Sequence, residues 1–96
     1  MFSHVVIFWT KSDVPNAADN LIAGAEQYLK PIPGVSQFFI GKMAPSPRDV
    51  VDQSYQVALN ILFPDQAAQD VYQDHPLHLE FVEKVFKANC ERVVIY

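Results

Sequence analysis

Hydrophobic residues occur at every second position between Tyr55 and Phe63, which is the period of a β-strand with one buried face. The first ten residues also predict a strand, but both of its faces are apolar, as in a strand covered on two sides. One face of this first strand has His4, Val6 and Phe8, and the other has Val5, Ile7 and Trp9. Residues 35–43 and 90–96 complete a set of four predicted strands.

Two segments between the strands have the apolar spacing of amphipathic helices. The first predicted helix ends before Pro31, and its apolar positions are Leu21, Ile22, Ala25, Tyr28 and Leu29. The second is predicted to begin after Asp65, whose side chain would cap it, and to break at His75 and Pro76. After the break, one apolar stripe contains Leu79, Val82 and Phe86, and an adjoining stripe contains His78, Phe81 and Val85.

The order of these elements, βαββαβ, predicts an α+β fold of the ferredoxin-like type, a four-stranded antiparallel sheet with the helices on one face. The other face of the sheet would stay bare in one subunit, although Val5, Ile7 and Trp9 lie on it. Burying apolar surface contributes about 25 cal/mol per Å², so a second sheet packed there would stabilise the protein. The pattern therefore predicts a homodimer in the form of a dimeric α/β barrel, with residues 1–96 as a single domain.

Composition and charge narrow the classes of partner. Half of the residues are hydrophobic, and the net charge of −4 comes without a cluster of Lys or Arg that could bind successive phosphates, so no nucleic-acid partner is expected. No apolar run reaches the roughly 18 residues of a membrane span, and the first ten residues lack the basic start and cleavage pattern of a signal peptide. The single cysteine, Cys90, cannot form an internal disulfide. These features predict a cytoplasmic protein without a membrane partner.

The segment from Tyr72 to Phe81 contains two of the three histidines and is the main candidate for chemistry. Pro76 suits the first position of a helix, so His75 is interpreted mainly as part of a helix start. His78 lies on the apolar flank of that helix, where Tyr72 is a candidate hydrogen-bond partner. Two interpretations stay open. An imidazole and a phenol that face one cavity suit proton transfer, whereas a buried histidine bonded to a tyrosine hydroxyl would be structural.

A second hypothesis is a metal site, in which His4, His75 and His78 would be the ligands. However, H-P-x-H is not a zinc-binding pattern, and no Asp or Glu stands at an obvious ligand spacing. The chain also has no Gly-rich phosphate loop and no Ser or Cys nucleophile in a recognisable setting. The sequence therefore predicts neither a metal nor a cofactor.

Several of these residues resemble a known family. The first strand with His4, the segment Ile32-Pro33-Gly34-Val35 and the pattern Tyr72-x-x-His75-Pro76-x-His78 are similar to the stress-responsive dimeric α/β barrel (Dabb) domain. The resemblance implies a ferredoxin-like homodimer with a pocket between sheet and helices in each subunit. Most members have no established reaction. One plant member is a cofactor-independent polyketide cyclase, in which the residues matching His78 and Tyr72 serve as base and assisting group.

The leading hypothesis is a pocket that holds a small apolar or aromatic molecule, with no assigned activity. Its predicted ligand-binding residues are His4, Val6, Phe8, His75 and Phe81. In the enzymatic alternative, His78 is the general base and Tyr72 the proton donor of a cyclisation or isomerisation. In a further alternative, the protein is a non-catalytic structural protein of the stress response. The residues of the motif are common to catalytic and non-catalytic relatives, so all three hypotheses stand.

Overall fold

The computed structural model describes all residues from 1 to 96, and its elements follow the predicted order. The strands are β1 (Phe2–Thr10), β2 (Gln37–Lys42), β3 (Val57–Phe63) and β4 (Cys90–Ile95). The helices are α1 (Ala17–Tyr28), α2 (Gln66–Asp74), α3 (Pro76–Phe81) and α4 (Lys87–Asn89), and a π-helical turn (Val82–Phe86) joins α3 to α4. None of these helices is long and apolar enough to cross a membrane.

The strands form one antiparallel sheet in the order β2-β3-β1-β4. Strand β1 is central and pairs with both β3 and β4, so Val6 lies opposite Leu59 on one side and Ile95 on the other. This topology follows from joining βαββαβ elements with antiparallel pairing. It confirms the predicted ferredoxin-like α+β fold.

The hydrophobic core lies between one face of the sheet and the helices. His4, Val6 and Phe8 of β1 are buried on this face, whereas Val5 and Ile7 on the other face are only partly covered. The neighbouring strand β3 buries every second residue, namely Val57, Leu59, Ile61 and Phe63. The predicted faces of both strands are therefore confirmed, because alternation along a strand decides which side chains meet the helices.

Strands β2 and β3 each begin two residues later than the sequence predicted. The flanking residues are still extended and hydrogen-bonded, since the Ser36 N–H donates to the Leu62 carbonyl at 2.8 Å and the Met43 N–H to the Gln56 carbonyl at 3.0 Å. In the sequence, the alternation of apolar and polar residues continues past the last residues that pair regularly with a neighbouring strand. Strand ends are therefore decided by the neighbouring strand rather than by local pattern.

Helix α2 begins as predicted, because the Asp65 carboxylate accepts a hydrogen bond from the Ala68 N–H at 2.9 Å. A side-chain cap of this kind satisfies a backbone donor that has no partner within the helix, and contributes about 1 kcal/mol. The cap sets where α2 starts. It thereby sets which residues of α2 face the sheet, with Tyr72 buried on that side.

The helix after Pro76 differs from the prediction because it is not one regular α-helix. A π-helical turn interrupts it after Phe81, and Leu79 is 55% exposed although the sequence predicts it in one buried stripe with Val82 and Phe86. At this turn Val85 packs on Gly24 of α1, where a Cβ would lie 2.5 and 2.7 Å from the two Val85 methyl carbons. Only glycine allows the two helices to approach this closely.

Candidate functional site

The sheet and the helices enclose a cavity of about 150 Å³ that is partly open to solvent. Ten of its thirteen lining residues are hydrophobic. The lining residues are His4, Val6, Phe8, Leu29, Leu59, Tyr72, Gln73, His78, Phe81, Val82, Phe86, Val93 and Ile95. An apolar cavity of about this size can hold a benzene-sized ring.

Tyr72 occupies the centre of a group of stacked rings beside the cavity. It is 1% exposed, and its ring meets Phe63, His4 and His78 edge to face, with centroids 5.1, 5.8 and 4.9 Å away. Burial raises the pKa of Tyr72, because the phenolate would lose its hydration. The hydroxyl therefore stays protonated and can donate a hydrogen bond to a ligand.

The break between α2 and α3 folds His78 back against Tyr72. His75 takes an extended backbone conformation there, so α3 starts in a new direction. The expected hydrogen bond between Tyr72 and His78 is not formed. The two rings instead lie 69° apart in an edge-to-face contact, and His78 Nδ1 is buried without a hydrogen-bond partner. The predicted partners are in contact, but at the angle set by the break the phenol and the imidazole do not hydrogen-bond to each other.

Both histidines at the cavity have a lowered pKa. For His78 the main cause is burial, which penalises the imidazolium, and the nearby Asp74 carboxylate opposes part of this effect. For His4 the causes are burial and then repulsion by a charge on His78. Both imidazoles are therefore neutral at neutral pH. A neutral imidazole can accept a proton, which is what a general base requires.

His75 lies outside the cavity lining, at the start of α3. Its Nδ1 accepts a hydrogen bond from the Leu77 N–H at 3.1 Å, and its carbonyl accepts one from the His78 N–H at 2.9 Å. Both contacts are those of a capping residue. The two histidines of the motif thus have different surroundings, although they are only three residues apart.

Sequence reasoning missed more than half of the cavity lining. Val93 and Ile95 alternate along β4, a signal that could have placed them on the inner face with the buried residues of β1. Val82 and Phe86 had been predicted to share an apolar stripe, but the π-helical turn decides where that stripe points. Gln73 is polar and carries no periodic signal. Leu29, which directly follows α1, and Leu59 of β3 reach the cavity from elements that only the tertiary structure brings together.

No group of three or more His, Cys, Asp or Glu side chains is arranged to hold a metal ion. Cys90 is buried at the start of β4, and burial raises the pKa of its thiol to about 11. A thiol in that state is a poor nucleophile. The chemistry available at the cavity is therefore that of its imidazoles, its phenol and the Gln73 amide.

Comparison with solved structures gives the same fold. A Dabb family protein with a ferredoxin-like fold from Mesorhizobium loti has a TM-score of 0.78 at 26% identity, covering 98% of this chain and 90% of its own. The hydroxynitrile lyase from Passiflora edulis has a TM-score of 0.79 at 24% identity, covering 98% and 87%. A dimeric ferredoxin-like protein of unknown function from Thermobifida fusca has a TM-score of 0.76 at 18% identity, covering 98% and 85%.

Sequence comparison identifies the family. A stress-response A/B barrel domain-containing protein of Arabidopsis thaliana is 28% identical over 94 residues, which are 98% of this chain and 81% of that protein. The family model described as the stress responsive A/B barrel domain (Dabb) matches residues 2–96. Fold, relatives and family model agree with the resemblance in the first strand and in the Tyr72 to His78 segment. The chain belongs to the stress-responsive A/B barrel (Dabb) family.

Proposed function

We propose that the protein binds a small molecule with an apolar, aromatic-sized body in the cavity between its sheet and helices. The observation that carries this proposal is an apolar cavity of about 150 Å³ with one buried imidazole nitrogen, His78 Nδ1, left without a partner. Buried polar atoms in proteins are normally hydrogen-bonded. A ligand that fills the apolar space and bonds to His78 would satisfy both features at once.

A variant with a filled cavity tests this proposal. Val93 lines the cavity on the edge strand β4, so Val93→Phe places a ring where the ligand ring would lie. We expect 4-methylphenol to shift the amide signals of lining residues in ¹H–¹⁵N spectra of the wild type. Binding to Val93→Phe should be at least about tenfold weaker, because the cavity is occupied.

Val71→Phe is the matched control, since Val71 is 63% exposed on α2 and does not line the cavity. This control should bind the probe like the wild type. Spectra of both variants without the probe report whether the fold is intact. Wild-type shifts confined to residues away from the cavity, or undiminished binding by a folded Val93→Phe, would contradict the proposed site.

Proton transfer is the second candidate function, with His78 as the base and Tyr72 as the donor. This proposal is supported by the contact between the two rings beside one cavity, whose centroids are 4.9 Å apart. The imidazole is neutral and its Nδ1 has no hydrogen-bond partner, and the phenol keeps its hydroxyl proton. In such a reaction, His78 would remove a proton from the carbon next to a carbonyl group, and Tyr72 would donate a hydrogen bond to the resulting enolate oxygen. The shared fold with a hydroxynitrile lyase is compatible with catalysis. Deuterium exchange into an enolisable ketone is a direct test.

We further propose that two copies of the chain pair through the bare face of the sheet. That face leaves Phe39 55% exposed and includes the partly covered Val5 and Ile7. Trp9 on the same face is already covered by the Arg92 guanidinium, 4.0 Å from its ring centre. Covering the remaining apolar residues with a second sheet would stabilise the pair. The dimeric state of relatives such as the Thermobifida fusca protein supports this arrangement.

Light scattering distinguishes a monomer from a dimer by its mass. The wild type should have the mass of a dimer at micromolar concentration, and Phe39→Asp should lower the mass to that of a monomer, because it places a charge in the proposed interface. Val71→Asp is the control, since it introduces the same charge at an exposed helix position. A monomer mass for the wild type would disprove the interface.

A further inference from the structure

We infer that the cavity accepts an uncharged ligand and discriminates against the anionic counterpart of the same shape, such as a carboxylate. This inference rests on the proposed binding function, and it specifies the chemical class of the ligand. Three features of the lining carry it. They are the absence of a cationic side chain, a helix start whose N–H groups are occupied, and neutral imidazoles beside a carboxylate.

Cationic side chains are kept away from the cavity. None of the seven Lys and Arg residues is among the lining residues. Arg92 stacks on Trp9, on the opposite face of the sheet. Lys84 and Lys87 form ion pairs with Glu80 and Glu83 at 3.6 and 2.6 Å, on the exposed side of the helix. A carboxylate in the cavity would therefore lose hydration without gaining a cation.

The start of α3 cannot take the place of a cation. Backbone N–H groups at a helix start often bind anions, because they have no partner within the helix. Here Pro76 has no N–H, and the Leu77 N–H is bonded to His75 Nδ1 at 3.1 Å. The His78 N–H is bonded to the His75 carbonyl at 2.9 Å. The capping role of His75 thus removes the donors that an anion would need.

The remaining polar groups of the lining also favour a neutral partner. His4 and His78 have lowered pKa values, so neither carries a stable positive charge at neutral pH. The charged group that acts on His78 is the Asp74 carboxylate, which would repel an anion. Tyr72 and Gln73 are uncharged and can donate a hydrogen bond to a carbonyl or hydroxyl oxygen. The cavity therefore has donors for a neutral oxygen and no counterion for a carboxylate.

Benzamide and benzoate provide a matched pair of probes, because they have nearly the same shape and differ in charge. Titration of the full-length protein at neutral pH, followed by ¹H–¹⁵N spectra, should show benzamide shifting the amide signals of lining residues. Benzoate should bind at least about 100-fold more weakly at the same site, because its charge would be desolvated without a partner.

A cation placed at the cavity should reverse the preference. Gln73→Arg puts a guanidinium on the lining, and we expect it to raise the affinity for benzoate relative to benzamide by about tenfold or more. Gln69→Arg is the matched control, since it adds the same charge one helical turn earlier on α2, away from the lining. The control should leave the affinity ratio close to that of the wild type.

Each outcome separates the inference from the function on which it rests. Benzamide binding at the cavity with weak benzoate binding supports both. Equal or tighter benzoate binding by the wild type at the lining residues overturns the charge selection and leaves the binding function standing. If neither benzamide nor 4-methylphenol binds at the cavity, the binding function fails, and the inference fails with it.

Discussion

Replacing His78 with alanine should slow protein-catalysed deuterium exchange into an enolisable phenyl ketone by about 10²- to 10⁴-fold, the usual contribution of a general base. The base removes a proton from the carbon next to the carbonyl, and the resulting enolate takes a deuteron from D₂O at the same carbon. The exchange is measured from the loss of that proton signal in NMR spectra. An exchange rate that survives His78→Ala would show that His78 is not the base.

The pH dependence of the exchange rate gives an independent check on His78. Burial lowers the pKa of His78 below its ordinary value of 6.5, so the neutral imidazole is already the main form at pH 6.5. Since the neutral form is the base, the wild-type rate should fall to half only at a pH below 6.5. A half-point above that value would assign the rate to another group.

His75→Asn is the matched control for His78, because asparagine keeps a capping side chain while the imidazole is lost. The position of His75 at the helix start predicts little change in exchange rate. The sequence likewise indicates a helix start at His75, but it also includes His75 among the predicted ligand-binding residues. A large loss of activity in His75→Asn would support that assignment and would mean that the ligand extends to the start of α3.

Replacing Tyr72 with alanine should lower the free energy of unfolding by about 3–5 kcal/mol, measured by urea denaturation. Tyr72 is 1% exposed and contacts three other rings, so its removal leaves a void that these neighbours do not fill. Domains of this size have a total stability of roughly 5–15 kcal/mol. The variant should therefore unfold at a much lower urea concentration than the wild type.

Tyr72→Phe separates the ring of Tyr72 from its hydroxyl. Phenylalanine keeps the ring contacts, and the hydroxyl forms no hydrogen bond with His78 in the structure, so the cost should stay below about 1 kcal/mol. The same variant should slow deuterium exchange if the phenol donates to the enolate. A stability loss as large as that of Tyr72→Ala would show that the hydroxyl has a structural bond.

The fold was predictable because its signals are local. Alternation in β3, the cap at Asp65 and the helix start at Pro76 each depend on residues close together in the chain, and all three are present in the structure. The ends of β2 were not predictable, because they depend on pairing with a strand far along the chain. The π-helical turn was also missed, because the apolar spacing of its residues fits a regular α-helix.

The candidate site was predictable only in part. The sequence placed His4 and His78 near Tyr72, and the structure brings these three rings together. It could not supply the angle between the rings, because a break in a helix has many geometries that the local sequence allows. The free nitrogen of His78, on which both the binding and the catalytic proposals depend, follows from that angle.

By itself the sequence determined the order of the elements and the buried faces of β1 and β3, because hydrophobic periodicity and helix caps depend on residues close together in the chain. It also determined the family, because the family motif consists of residues within one short segment. The tertiary structure alone decided the cavity. Its walls come from three strands, two helices, the π-helical turn and the residue that follows α1, and residues as far apart in the chain as His4 and Ile95 meet in them. It also decided the charge of the site, because burial lowers the pKa of His4 and His78, and burial exists only once the chain has folded.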